Sequence, residues 1–331
     1  MSRRKFLQQS TALGAATLLG IPRTGHAEPP PEVRKIRLAH FPAICLAPGY
    51  LAEDLLRAEG FDEVEYVDLT VNTTSPAVGS GRVDMWMDAA PSLVNLLASA
   101  DSAVALGGIH SGCYELVAKT DVKSIRALKE RSVSVSVLGS TEHIFVAGIV
   151  SYVGLDPHKD IEWKVAGSSD EAMKLFADGG SDAILGFAPQ PQELRAKKIG
   201  HVILNTTHDR PWSQYFCCMI TGNREFVRKN PVATKRAMRA FLKGADICAT
   251  QPARAARFMA DKGYAASYDA ALEVIGDLPY RRWRDASPED TIRFHALRLY
   301  EAGIIKASPE KLIEKGTDWR FFNELKKELK A

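Results

Sequence analysis

The sequence predicts an α/β fold in two lobes with a helical C-terminal region. Three observations carry that prediction. Short β-branched and apolar runs alternate with segments of helical apolar spacing from residue 35 to residue 204. Within the stretch 131–155, RSVSVSVLGSTEHIFVAGIVSYVGL, the pattern switches once, so a buried strand feeds a helix through a glycine turn. From residue 223 onward only helical spacing remains.

At 331 residues, 46% hydrophobic and 25% charged, the chain can bury a real core, and two domains are the length-based expectation. Its 43 basic and 40 acidic residues are interspersed, giving a net charge of +3 and no nucleic-acid footprint. Residues 1–27 read as an export signal. Arg3-Arg4 is a twin-arginine pair, 11–21 is an apolar stretch too short to span a membrane, and Gly25-His26-Ala27 offers small residues for cleavage. A mature start at Glu28 and a periplasmic location follow, with the proline-rich 28–32 as a tether.

Five cysteines are too few for a disulfide scaffold. None shows CxxC or Cys/His metal spacing, so neither metal nor cofactor is expected. A bridge from Cys113 to Cys217 or to Cys218 stays open, because both partners fall on the same expected strand.

Taken in order, 35–40 reads as a first strand, 41–49 as an apolar loop and 50–59 as a helix closed by Gly60. Residues 64–69 are a second strand and 85–87 a third, after which Asp88-Ala89-Ala90-Pro91 opens a helix over 92–99. Asp88 is either a plain helix cap or a carboxylate facing a ligand. Strands at 104–106 and 113–118 lead out of the first lobe, and 124–129 is a helical lead-in to the strand 133–138. Ser140, Thr141 and Glu142 then start a long helix. Hydroxyls at a helix start are usually caps, but a buried strand's carboxyl end is also where open α/β sheets bind ligands. Further strands at 161–165, 181–187, 201–204 and 215–221 alternate with helices at 170–178 and after Pro189; helices at 225–230, 232–251, 252–263, 268–278, 287–302, 309–316 and 319–330 complete the chain.

Several landmarks in this order resemble a known group: the loop 41–49, Gly81-Arg82-Val83-Asp84 before a Pro-started helix, Ser124-Ile125-Arg126-Ala127-Leu128-Lys129 before a strand ending at Gly139-Ser140, then 172–175, 180–183 and Pro189. The chain resembles the periplasmic solute-binding proteins of ABC importers in the nitrate/sulfonate/taurine class, which share their fold with thiamine-pyrimidine precursor (NMT1/THI5-like) proteins. That resemblance implies a type II-like periplasmic-binding-protein fold, with 33–116 and 216–331 as one lobe, 117–215 as the other, and the C-terminal helices packed on the first. It implies a ligand between the lobes, contacted by Phe41, Pro42, Ile44 and Cys45; Met87, Asp88 and Ala89; His110 and Ser111; Ser140, Thr141 and His143; and Phe187 with Pro189. Trp212 and Tyr215, near the second crossover, are pocket or hinge residues. It further implies a monomer that hands a small molecule to an inner-membrane permease.

No Arg or Lys stands among these loops, and like charges 4 Å apart cost roughly 4 kcal/mol near a surface, so Asp88 would repel a bare anion. The expected ligand is small and partly apolar or aromatic, with a zwitterion or amine favoured over nitrate. Two alternatives accompany this reading: a pyrimidine-precursor-type enzyme using His40, His110, Cys217 and Cys218, and a sensor-associated binding module. No Ser-His-Asp order or phosphate loop has the strand–turn context its chemistry needs, which points to binding without catalysis.

Overall fold

The computed structural model describes residues 28–329; the export-signal reading of residues 1–27 lies outside the described residues. In chain order the elements are β1 (Lys35–His40), a 3-10 turn (Ile44–Leu46), α1 (Ala47–Ala58), β2 (Glu63–Asp68), α2 (Thr74–Gly79), β3 (Met85–Ala89), α3 (Ala90–Ser99), β4 (Ala103–Ser111) and β5 (Tyr114–Ala118). There follow β6 (Arg131–Val135), α4 (Thr141–Tyr152), β7 (Ile161–Val165), α5 (Ser169–Ala177), β8 (Ala183–Phe187), α6 (Gln190–Ala196), β9 (His201–Asn205) and β10 (Phe216–Asn223). The rest is helical: α7 (Arg224–Lys229), α8 (Pro231–Thr250), α9 (Pro252–Asp261), α10 (Tyr268–Asp277), α11 (Pro288–Glu301), α12 (Pro309–Gly316) and α13 (Arg320–Glu328). Among the described residues no helix is long and apolar enough to cross a membrane.

The expected two-lobe α/β architecture is present. In the first lobe β1 pairs in parallel with β2, and β10 returns to lie antiparallel between β3 and β4. The second lobe is the five-stranded sheet β7-β6-β8-β5-β9, parallel at β6 and antiparallel at β5. β3, β4, β5 and β8 are buried almost throughout, which is why they read as apolar runs without alternation. The C-terminal helices pack on the first lobe: α8 lies so close to α1 that a Cβ on Gly244 would stand 2.2 Å from the Pro48 carbonyl oxygen, and Thr317 bridges to Ala105 of β4.

Three differences from the sequence reading bear on the site. The strand at 113–118 pairs only with β8 and β9, so the first lobe ends at Gly112–Cys113 and not at residue 116. The cause is local: Gly112 (φ +80°) and Cys113 (φ +100°) are both left-handed, which breaks the extended chain between β4 and β5. The strand expected over 133–138 stops at Val135, because its partner β7 ends opposite it at Val165; Val137 and Leu138 are 42% and 60% exposed. Asp88 is the last residue but one of β3 and does not cap α3, whose N-cap is Ala89.

Candidate functional site

The carboxyl ends of β1 and β3 form the first-lobe wall of a cleft. Phe41, just beyond β1, is pinned by Tyr50, whose hydroxyl donates to the Phe41 carbonyl (2.7 Å) and accepts from its N–H (3.1 Å). The register of β3 on β10 sets Met87 opposite Ile220, Asp88 opposite Met219 and Ala89 opposite Cys218. Tyr114 at the start of β5 and Phe187 at the end of β8 supply the second-lobe wall, with ring centroids 5.8 Å apart. Together with Cys45, Cys113, Val71 and Cys218 these residues line a narrow cavity of about 20 Å³.

Among the described residues Asp88 is its only carboxylate. It is 4% exposed, accepts from the Ser75 hydroxyl and takes the Ala89 N–H at 3.0 Å. Burial raises its pKa from 3.8 to about 6, with the two hydrogen bonds opposing that rise.

A second, more polar cavity of about 130 Å³ adjoins the first at Val71 and lies between α2, α3 and the start of α4; Asn72, Ser75, Ser92, Gly139 and Thr141 are in its wall. Hydrogen bonds cross it from lobe to lobe. Asn72 donates through its amide to Ser136 (2.9 Å) and accepts the Thr141 N–H (3.1 Å), while the Ser92 hydroxyl donates to that of Thr141 (2.9 Å). Ser136 passes its own proton to buried Glu142 (3.2 Å), which also accepts from Ser169. Among the described residues, no Lys or Arg lines either cavity.

The fold thus brings together Phe41, Cys45, Met87, Asp88, Ala89 and Phe187 in one cavity and Thr141 in the other. The remaining expected contacts lie elsewhere. Pro42 is exposed, Ile44 is buried in the core, and Pro189 is the half-buried N-cap of α6. Ser140 caps α4, accepting the His143 N–H at 3.2 Å, which is the bland reading of a hydroxyl at a helix start. His143 accepts from Gly139 and packs edge-on against Trp163 at 4.5 Å; burial lowers its pKa, and His158 adds to that. Trp212 is buried against Tyr152, and Tyr215 stacks on Phe294 at 4.1 Å, so both serve packing. His110 and Ser111 are wholly buried on β4 and line neither cavity.

Sequence reasoning missed Val71, Asn72 and Ser75 in the loop after β2 and on α2, Ser92 on α3, and Tyr114. The run Thr70-Val71-Asn72-Thr73-Thr74-Ser75-Pro76 carries the same signal as the β6–α4 joint, hydroxyls and an amide after a strand, and would have exposed the first three. It also missed that Cys45, His110, Cys113 and Cys218 converge, with one donor atom from each lying within 4.8 Å of the others. Their elements are far apart in sequence, so local spacing carries no trace of it.

Residues 113–261 match the model of the NMT1-like family. No curated protein sequence matches. Among solved structures, the periplasmic nitrate-binding protein NrtA of Synechocystis PCC 6803 superposes with a TM-score of 0.75 at 14% identity, covering 91% of this chain and 90% of that one. The alkanesulfonate-binding protein SsuA of Xanthomonas axonopodis pv. citri, bound to MOPS, gives 0.68 at 15%, covering 88% and 99%. A Candida albicans gene product described as having the generic periplasmic binding protein structural fold gives 0.70 at 14%, covering 86% and 96%. At such identities the likeness to these structures is one of fold. The chain has the periplasmic-binding-protein fold and matches the NMT1-like family model over residues 113–261.

Proposed function

We propose that the chain is the extracytoplasmic substrate-binding component of an ABC importer, capturing a small organic solute between its lobes and delivering it to a membrane permease. The observation that carries this reading is the cavity walled by Phe41, Met87 and Asp88 on one side and Tyr114 and Phe187 on the other. Aromatic rings and a thioether suit an apolar or aromatic body, and one carboxylate without a neighbouring cation suits an amine or zwitterion. A bare anion gains nothing from such a lining, which separates this site from a nitrate carrier. The Asn72, Ser92, Ser136 and Thr141 bonds span the lobes, so they stabilise a closed state that a bound solute would select.

No bond-making step is required for this role. Export by the twin-arginine route to the periplasm and action as a monomer belong to the same reading.

Isothermal titration of the purified mature chain with taurine, alkanesulfonates, aminopyrimidines and nitrate tests it. Saturable binding of an amine-bearing or aromatic solute, with nitrate inert, is expected; tight binding of nitrate alone would overturn the ligand class.

A further inference from the structure

In the wall of the solute cavity, four soft donors converge from four separate pieces of chain, three of them (Cys45, Cys113 and Cys218) lining the cavity itself. Cys45 comes from the turn after β1, His110 from β4, Cys113 from the first crossover and Cys218 from β10. All four are buried, at 4%, 0%, 8% and 4% exposure, and one donor atom from each lies within 4.8 Å of the other three. His110 and Cys218 are a cross-strand pair, so their side chains share a sheet face. The β4–β10 register shifts between Phe216 and Cys218, where Cys217 is the extra residue, as in a bulge that re-aims its neighbours.

Two features point to a ligand. The His110 Nδ1 lies 3.2 Å from the Ser111 carbonyl, which can only accept, so Nδ1 carries the proton. Nε2 is then the lone-pair nitrogen, and it is buried with no partner among the described residues. A ring whose far nitrogen donates to a carbonyl is the arrangement that orients a metal-binding imidazole. Moreover, Cys113 holds φ +100°, a conformation that costs a non-glycine residue ~1–3 kcal/mol and that clusters where a side chain must be delivered to a site.

We propose that Cys45, His110, Cys113 and Cys218 bind a thiophilic divalent cation of the zinc class. Three thiolates and one imidazole complete a closed tetrahedral set, whose donors stand ~3.5–4 Å apart around an ion with Zn–S near 2.3 Å; the observed spread needs only small side-chain adjustments. The soft donor set disfavours magnesium and calcium. Cys113 sits on the first crossover and Cys218 near the start of the strand entered from the second, so the ion ties both crossovers to the loop after β1. The site shares Cys45, Cys113 and Cys218 with the solute cavity, but metal binding is read out separately from solute binding.

Purified, reduced full chain titrated with zinc, and with cobalt as a spectroscopic probe, tests this. One zinc per chain by native mass spectrometry and a thiolate-to-cobalt charge-transfer band are expected. Zinc-edge X-ray absorption of the unaltered protein should give three sulfurs and one nitrogen, independently of any variant's ability to fold. Cys45→Ser and His110→Gln should each weaken zinc binding roughly tenfold or more, whereas Cys248→Ser, on α8 and outside the cluster, should retain it. An absent charge-transfer band, a shell of nitrogen and oxygen only, or loss of the ion in Cys248→Ser would overturn this donor set.

Discussion

Asp88 is the residue whose environment makes the sharpest prediction. Its folded pKa of about 6 lies above the ordinary 3.8, so between those values the folded chain binds more protons than the unfolded one. Stability contributed by neutral Asp88 is full below the lower value and is lost as pH rises through about 6, by about 3 kcal/mol in all. Asp88→Asn should remove that loss: denaturant midpoints measured from acid to neutral pH should show the variant gaining on the wild type and levelling off above about 6. The same change should weaken an amine-bearing solute above that pH and leave a neutral aromatic one nearly unaffected, as read by calorimetry. Of the two roles its sequence offers, the helix cap is not found: Asp88 lies on β3 and lines the cavity, while the N-cap of α3 is Ala89. Ser140 and Thr141 divide the opposite way: the serine is a cap, and the threonine meets Ser92 across the cleft. Adjacent hydroxyls read alike in sequence, and only the helix's rotation separates them.

At the scale of elements, the strand-to-helix joints were legible and the element after β2 was not. α2 is six residues long and interrupted by proline, too short for helical spacing to register, yet it and the preceding loop carry Asn72 and Ser75. Asn72→Ala should therefore loosen the lobe contact it bridges, costing about 1 kcal/mol for each of its two hydrogen bonds; a rise in amide exchange at the start of α4 would register it, and unchanged exchange would count against the bridge. The first crossover makes a second prediction. Gly112 adopts φ +80°, and a Cβ there would stand 2.3 Å from the Thr207 hydroxyl and 2.6 Å from the Thr207 Cα. Gly112→Ala should cost on the order of 2 kcal/mol or more in urea unfolding, since backbone and not a flexible tip blocks the methyl.

For the molecule as a whole, the alternation of strands and helices made the two-lobe architecture readable, because buried strands and amphipathic helices leave period-specific traces. Contacts between remote elements leave none, which is why the lobe boundary at Gly112, the aromatic wall from Tyr114 and the Cys/His convergence emerged only with the fold. The proposed function requires a small organic solute between the lobes, against Asp88. A crystal structure of the exported chain with its solute tests this most directly: a molecule enclosed between Met87 and Asp88 on one side and Tyr114 and Phe187 on the other is expected. A solute bound on one lobe's outer surface, or a bare anion held away from Asp88, would contradict it.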